Sequence, residues 1–276
     1  PLGCNLTVPG CVRPFAAQFP NFQNIIEISN TGKSWYDSLQ LSYTQRNWKG
    51  LNTQYNLTWS HCIDLNSNNR GNRLGLSPAQ NPFNPFANKG NCDFDVPLNF
   101  NASGSYEFPK IASWERLGSG WQLAGVLTLL DGRPFTPNIG SRDRTGQATG
   151  TVHADCNAAP QYNPRDPDSY IGNPSAFTEP APGRLGTCGR NVLRGPGLAQ
   201  WDMSIIKSTK ITERVKLEFR WEVFNVLNRA NFGGVSSNVR ASSFGTITTT
   251  PDVEVVNPVI SQGGARNMQF ALKLKF

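Results

Sequence analysis

The chain has 276 residues, of which 38% are hydrophobic and 16% charged, and its formal net charge is +7. No stretch approaches 18 consecutive apolar residues, which excludes a transmembrane helix but not a barrel of alternating strands. Lys and Arg are scattered, in clusters no longer than pairs such as Arg70/Arg73, so the basic charge does not form the stripe of a nucleic-acid binder and no nucleic-acid partner is expected.

The first residues, Pro1-Leu2-Gly3-Cys4, contain neither an initiator Met nor a signal peptide. An exported chain needs such a signal, so residues 1–276 are expected to be the C-terminal part of a longer polypeptide. A weak strand is predicted over 23–29. Over 35–46, Leu39, Leu41 and Tyr43 alternate with Ser38, Gln40, Ser42 and Thr44. Over 52–61, Tyr55, Leu57 and Trp59 alternate with Gln54, Asn56, Thr58 and Ser60. Residues 98–108 repeat the pattern, with Leu98, Phe100, Tyr106 and Phe108 against Asn99, Asn101, Ser103, Ser105 and Glu107. Residues 120–130 can be read as a strand but are apolar on both faces and therefore ambiguous. Residues 201–209 start with Trp201, Met203 and Ile205 facing one way.

The clearest internal strand is 214–223. Val215, Leu217, Phe219, Trp221 and Val223 alternate with Lys216, Glu218, Arg220 and Glu222. Four consecutive charges on one face are costly in a dry core and acceptable in a hydrated or plugged lumen. The last segment, 266–276, alternates Met268, Phe270, Leu272, Leu274 and Phe276 with Asn267, Gln269, Ala271, Lys273 and Lys275. This period of two, ending on a terminal aromatic, predicts a closing strand with lipid on one side and a polar lumen on the other. The expected class is therefore all-β: an antiparallel transmembrane barrel segment of about eight strands. Val215, Leu217, Phe219, Trp221, Met268, Phe270, Leu272 and Leu274 are assigned to lipid. Lys216, Glu218, Arg220, Glu222, Lys273 and Lys275 are assigned to the lumen.

The connections alternate short and long. Residues 48–51, 109–119 and 210–213 are the shorter ones, while 63–97, 131–200 and 228–265 are long. Outer-membrane barrels pair short periplasmic turns with long external loops, and unstructured loops of such length are uncommon in compact soluble domains. Counting back from a periplasmic C-terminus places all three long loops outside. Trp48, Phe108, Trp114, Trp121 and Phe276 then fall near the inner border, and Trp35, Trp59 and Trp201 near the outer one, as aromatic belts require. Six cysteines in loop-like segments suggest disulfides in an oxidising compartment. Fifteen connectivities are open; the nearest-neighbour set is Cys4–Cys11, Cys62–Cys92 and Cys156–Cys188.

Several segments resemble the barrel of Oar-like TonB-dependent receptors. They are Tyr36-Asp37-Ser38-Leu39-Gln40-Leu41, Lys49-Gly50-Leu51, and the run from Tyr55 to Asp64. Further on, Gly189-Arg190-Asn191-Val192-Leu193-Arg194-Gly195-Pro196-Gly197, Trp201-Asp202-Met203-Ser204, the run from Arg220 to Asn228, and the closing residues Gln269 to Phe276 are similar too. The likeness extends over about residues 15–276. It implies the last third of a barrel of about 22 strands in a Gram-negative outer membrane. Its partners would be outer-membrane lipid, an N-terminal plug of the same polypeptide, TonB, and an imported ligand. Phe270, Leu272, Leu274 and Phe276 would serve the barrel-assembly machinery as its signal. The plug and TonB-contact residues have no counterpart in this sequence.

Catalytic patterns such as G-x-S-x-G, the P-loop and H-E-x-x-H are missing, and no enzyme activity or cofactor is expected. No metal site is expected: there is no Cys-x-x-Cys, and His61 and His153 complete no ligand set. His61 reads as a polar rim residue beside Cys62. Asp166 and Asp168 lack the further oxygen ligands of a calcium loop and read as a solvated turn. The expected function is ligand capture and import, with loop 131–200 as the contact. The alternatives are a surface adhesin or structural barrel, and a secreted carbohydrate-binding β-sandwich.

Overall fold

In the computed structural model, which describes residues 18, 31–67, 79–81, 84–110, 117–140, 152–254 and 262–276, period-two alternation produces strands throughout. In chain order they are β1 (Ser34–Trp48), β2 (Leu51–Asp64), β3 (Gly90–Asn91), β4 (Leu98–Glu107), β5 (Trp121–Leu130) and β6 (Pro134–Phe135). These are followed by β7 (Asp155–Cys156), β8 (Phe177–Thr178), β9 (Leu193–Arg194), β10 (Leu198–Lys210), β11 (Lys216–Phe224) and β12 (Asn267–Lys275).

The long strands form one sheet in the order β1-β2-β4-β5-β10-β11-β12, each antiparallel to its neighbours, with β3 added to the end of β2. The up-and-down order follows from the short turns. At Lys49-Gly50 both residues have positive φ (51° and 86°), and a Cβ on Gly50 would stand 2.7 Å from the Glu107 carbonyl oxygen. Glycine is the residue that tolerates both demands. The turn from β10 to β11 is closed by Ile211 N–H donating to the Val215 carbonyl (2.9 Å) and by the Thr212 hydroxyl accepting from Val215 N–H.

Register carries the alternation across the sheet. Leu39 faces Trp59, Leu57 faces Phe100, Phe100 faces Leu129, and Leu127 faces Trp201. The face so formed stays open: Leu41, Trp59, Phe270 and Leu272 are 54%, 63%, 68% and 68% exposed. No second sheet covers it among the described residues, which removes the packing a β-sandwich requires.

The buried apolar core lies elsewhere, in the long connections. Ala154, Tyr170, Ile171, Ala176, Phe177, Cys188, Leu193, Phe244 and Ile247 form one cluster, with Phe135, Phe232 and Val235 packed around it. The described parts of two connections, within 131–197 and 225–266, therefore fold together as a cap. Asn138 N–H donates to the Ser237 carbonyl (2.8 Å), Val239 N–H to that of Asn138 (2.8 Å), and Ile171 N–H to that of Gly245 (3.1 Å). Disulfides Cys62–Cys92 and Cys156–Cys188 hold the outer ends, as expected. Cys4, Cys11, Trp114 and the weak strand over 23–29 lie outside the described residues.

The ambiguous apolar segment is strand β5. It is apolar on both faces because Ala124 and Val126 line the polar side of the sheet, where their neighbours are small. The sheet runs past several predicted limits and stops inside others: β1 and β2 extend to Trp48 and Asp64 and β10 begins at Leu198, whereas β11 begins only at Lys216 and β12 ends at Lys275. Strand-end residues such as Ser34 and Asp64 join the ladder through backbone pairing, which hydropathy does not report.

Candidate functional site

The sheet turns its polar side inward around a trough of about 580 Å³. Thr44 of β1, Asn52 and Gln54 of β2, Ser103 and Ser105 of β4, Asp202 and Ser204 of β10, and Glu222 of β11 line it. All of them point away from the apolar face because register places them one residue out of phase with it. Short side chains (Ser, Thr, Ala, Gly) keep the wall shallow, and amides and hydroxyls hydrogen-bond across it. The Ser42 hydroxyl donates to Asn56 Oδ1 (2.8 Å).

Glu222, at the edge of the trough, belongs to a charged ladder that runs along the same face of β11. Lys216, Glu218, Arg220 and Glu222 of β11 share a face, and pairing sets Lys275 opposite Lys216 and Lys273 opposite Glu218. Arg220 Nε donates to Glu218 Oε1 (2.6 Å), and its Nη1 lies 3.9 Å from Glu222. Lys275 Nζ reaches the other Glu218 oxygen, turning away from the like charge of Lys216, and Gln269 donates to Glu222. Glu218 is 6% exposed with both carboxylate oxygens engaged, so this face holds charge because it is paired.

On the other face Leu217 meets Leu274, Phe219 meets Leu272, Trp221 meets Phe270 and Val223 meets Met268. Trp221 and Phe270 stack at 6.2 Å with planes 10° apart. Val215 falls in the turn just before β11, and Phe276 lies beyond the end of β12, 93% exposed.

Four cation–π pairs border the apolar face. Lys89 lies 4.6 Å over Trp35 and Lys33 5.6 Å over Phe86 at the end carrying the long connections. Lys49 lies 5.6 Å over Trp48 and Lys207 5.4 Å over Trp121 at the end carrying the short turns. Trp35 and Trp48 lie at the two ends of the 15-residue β1, as its second and last residues. A strand of that length, tilted by about 40°, rises roughly 40 Å, the thickness of a bilayer with its headgroups.

The outer end is built on Arg190, Asn191 and Arg194. Arg190 pairs with Asp64 at the tip of β2 and with Asp93 (3.2 Å), and its Nε donates to the Asn88 carbonyl (3.0 Å). Asn191 sits at φ 54° and donates to the Asn91 carbonyl (2.7 Å) and to Asp93 (2.6 Å). Arg194 pairs with Asp95, whose other oxygen accepts Cys62 N–H (2.8 Å). Gly195 and Gly197 then let the chain cross close to Gly132 and the end of β5. The segment from Gly189 to Gly197 thus clamps the cap to β2 and β3. His61 Nδ1 stands 3.7 Å from Asp95, at the rim where it was expected.

A second polar knot joins the cap to the sheet. Gln200 Nε2 donates to both Asp202 oxygens (2.9 Å each), Asp202 accepts Asn225 N–H (2.8 Å), and Asn225 Nδ2 donates to the Arg229 and Gly264 carbonyls (2.8 Å each). Asn225, at φ 51° and 2% exposed, ends β11 and receives the chain returning to β12. Alternation alone did not single out these residues. The left-handed Asn positions of Asn225-Val226-Leu227-Asn228 are the signal that marks them.

Three cap groups have displaced acidities. Burial holds the His153 imidazole below its usual range, against the opposing hydrogen bond from Nδ1 to the Cys188 carbonyl (2.9 Å). Burial pushes the Tyr170 hydroxyl up to about 12. The Ser169 hydroxyl, then Asp168 N–H, hold the exposed Asp166 carboxyl below its usual value in a local turn. Among the described residues no group of three or more His, Cys, Asp or Glu is placed to hold a metal ion.

A search of curated proteins and one of solved structures each returned no match. The family model of the outer membrane beta barrel domain matches residues 6–269. With its polar-lined trough, bare apolar face and aromatic borders, the chain belongs to the outer membrane beta barrel domain family and resides in the bacterial outer membrane.

Proposed function

We propose that this barrel segment is part of a TonB-dependent receptor that captures a ligand outside the cell and passes it inward, by binding and without a catalytic step. The observation that carries the reading is the charged ladder of β11 and β12, beside the trough. Lys216, Glu218, Arg220, Glu222, Lys273 and Lys275 line the wall with charges of both signs toward whatever fills the lumen. A plug of the same polypeptide, with polar side chains, is the occupant this wall suits. The cap supplies the outward ligand contact, and Phe276 with Phe270, Leu272 and Leu274 supplies the terminus read during barrel assembly. Support also comes from the ordered set of segments shared with Oar-like receptors. Among the described residues β1 pairs only with β2 and β12 only with β11, so further strands are needed to complete a wide barrel.

The test is co-purification of the full-length protein with the periplasmic domain of TonB, with and without the residues preceding this barrel. The reading expects a complex that those preceding residues make possible. A full-length protein that folds and never binds TonB would make this a structural or adhesive barrel instead.

A further inference from the structure

We propose that Lys33 and Lys89, with Trp35 and Phe86, form a binding site for the phosphate of an outer-leaflet lipid headgroup. The inference rests on membrane residence and holds whether or not the barrel transports anything. Trp35 ends the apolar face of β1, in phase with Leu39 and Leu41, and is 43% exposed. Lys89 lies over its ring and Lys33 over that of Phe86, so both ammoniums are held at the border where acyl chains give way to headgroups. Neither ammonium has a carboxylate partner among the described residues. Asp37, the acidic residue of β1, stands two positions below Trp35 and opposite His61.

The two lysines are also positioned by a chain of buried contacts. Leu65 N–H donates to the Lys33 carbonyl (3.1 Å), and the Leu65 carbonyl accepts from Asn88 Nδ2 (2.7 Å). Lys89 N–H closes the Pro85–Asn88 turn onto the Phe86 carbonyl (3.1 Å), and Arg190 fixes that turn through the Asn88 carbonyl. Lys33 and Lys89 therefore reach the border from two segments tied through Leu65. At the opposite border Lys49 and Lys207 have their own aromatic partners, but Lys207 Nζ also donates to the Ser119 carbonyl, so those two do not repeat the arrangement of Lys33 and Lys89. A phosphate monoester above two ammoniums, with acyl chains against Trp35, satisfies both halves of the site.

The experiment uses the full-length protein in phosphatidylcholine nanodiscs doped with bisphosphorylated lipid A, and counts retained lipid A by native mass spectrometry. Retention should fall roughly thirtyfold in the Lys33→Gln/Lys89→Gln variant, as about 1 kcal/mol per lysine implies. It should recover in Lys33→Arg/Lys89→Arg and stay unchanged in Lys49→Gln. Dephosphorylated lipid A should be retained no better than phosphatidylcholine. Equal retention by the glutamine variant, or of the dephosphorylated lipid, would overturn the proposal. Complete displacement by millimolar inorganic phosphate would assign the pair to a free anion and overturn it too. If the glutamine variant fails to give a heat-modifiable barrel, the wild-type comparison of the two lipids decides.

Discussion

Phe270 and Gln269 are adjacent on β12 and have opposite surroundings, which makes them the sharpest probe of a single side chain. Phe270 stacks on Trp221 on the bare apolar face, while Gln269 meets Glu222 on the polar one. Phe270→Arg should cost about 2–4 kcal/mol of folding free energy in vesicles, and Gln269→Arg, which gains an acidic neighbour, far less. Leu217→Arg should cost only about 0–1 kcal/mol, because Leu217 sits one residue from the end of β11 that adjoins the short turn. Equal costs at 269 and 270 would contradict the facing. His153 makes a second residue-scale prediction. Burial depresses its folded pKa, so the unfolded cap binds more protons below about pH 6.5. Cap stability is then fully present above that pH and declines as pH falls toward the folded pKa. Hydrogen exchange of the cap, corrected for intrinsic rates, should show this decline, and His153→Gln should flatten it. The facing of Phe270 was legible in the sequence because period two reports directly on which side a strand residue points. The burial of His153 was not, since it depends on Gln80 and Cys188, which are far away in sequence.

Among elements, the long strands and the cap differ in how they are held. Strands β10, β11 and β12 rest on neighbour pairing and on a face left to lipid, so each was readable from its own residues. The cap rests on contacts across 60 to 130 positions, such as Arg190 to Asp64 and Arg194 to Gly132, that no local pattern reveals. Local pattern accordingly predicts loops over 131–200 and 228–265, whereas the structure holds a small apolar core inside them. Arg190→Ala should leave the buried Asp64 carboxylate without its partner and destabilise the cap by about 3–5 kcal/mol, read as lost exchange protection over 131–200. Replacing Cys156 and Cys188 together by Ser opens a 32-residue separation and should cost the cap about 3–4 kcal/mol. In both variants the heat-modifiable barrel should form normally. Loss of the barrel along with the cap would show that the two are one cooperative unit.

For the whole molecule, the distribution of burial is the reverse of a soluble protein. Leu39, Leu41, Tyr43, Phe219, Phe270 and Leu272 stand exposed along the sheet, and the buried apolar cluster sits beyond its end, in the cap. Lipid on the strands and water around the cap reconcile the two. The sequence announced the first half through alternation and short–long connections, and was silent on the second because folding of the cap is non-local. Spin labels placed singly at 268 to 275 of the full-length protein in phosphatidylcholine vesicles test the central claim directly. Labels at 268, 270, 272 and 274 should be relaxed by oxygen dissolved in the acyl chains, and those at 269, 271, 273 and 275 should not. A uniform response along the strand, or relaxation of every position by a water-soluble nickel complex, would contradict lipid as the covering of this face.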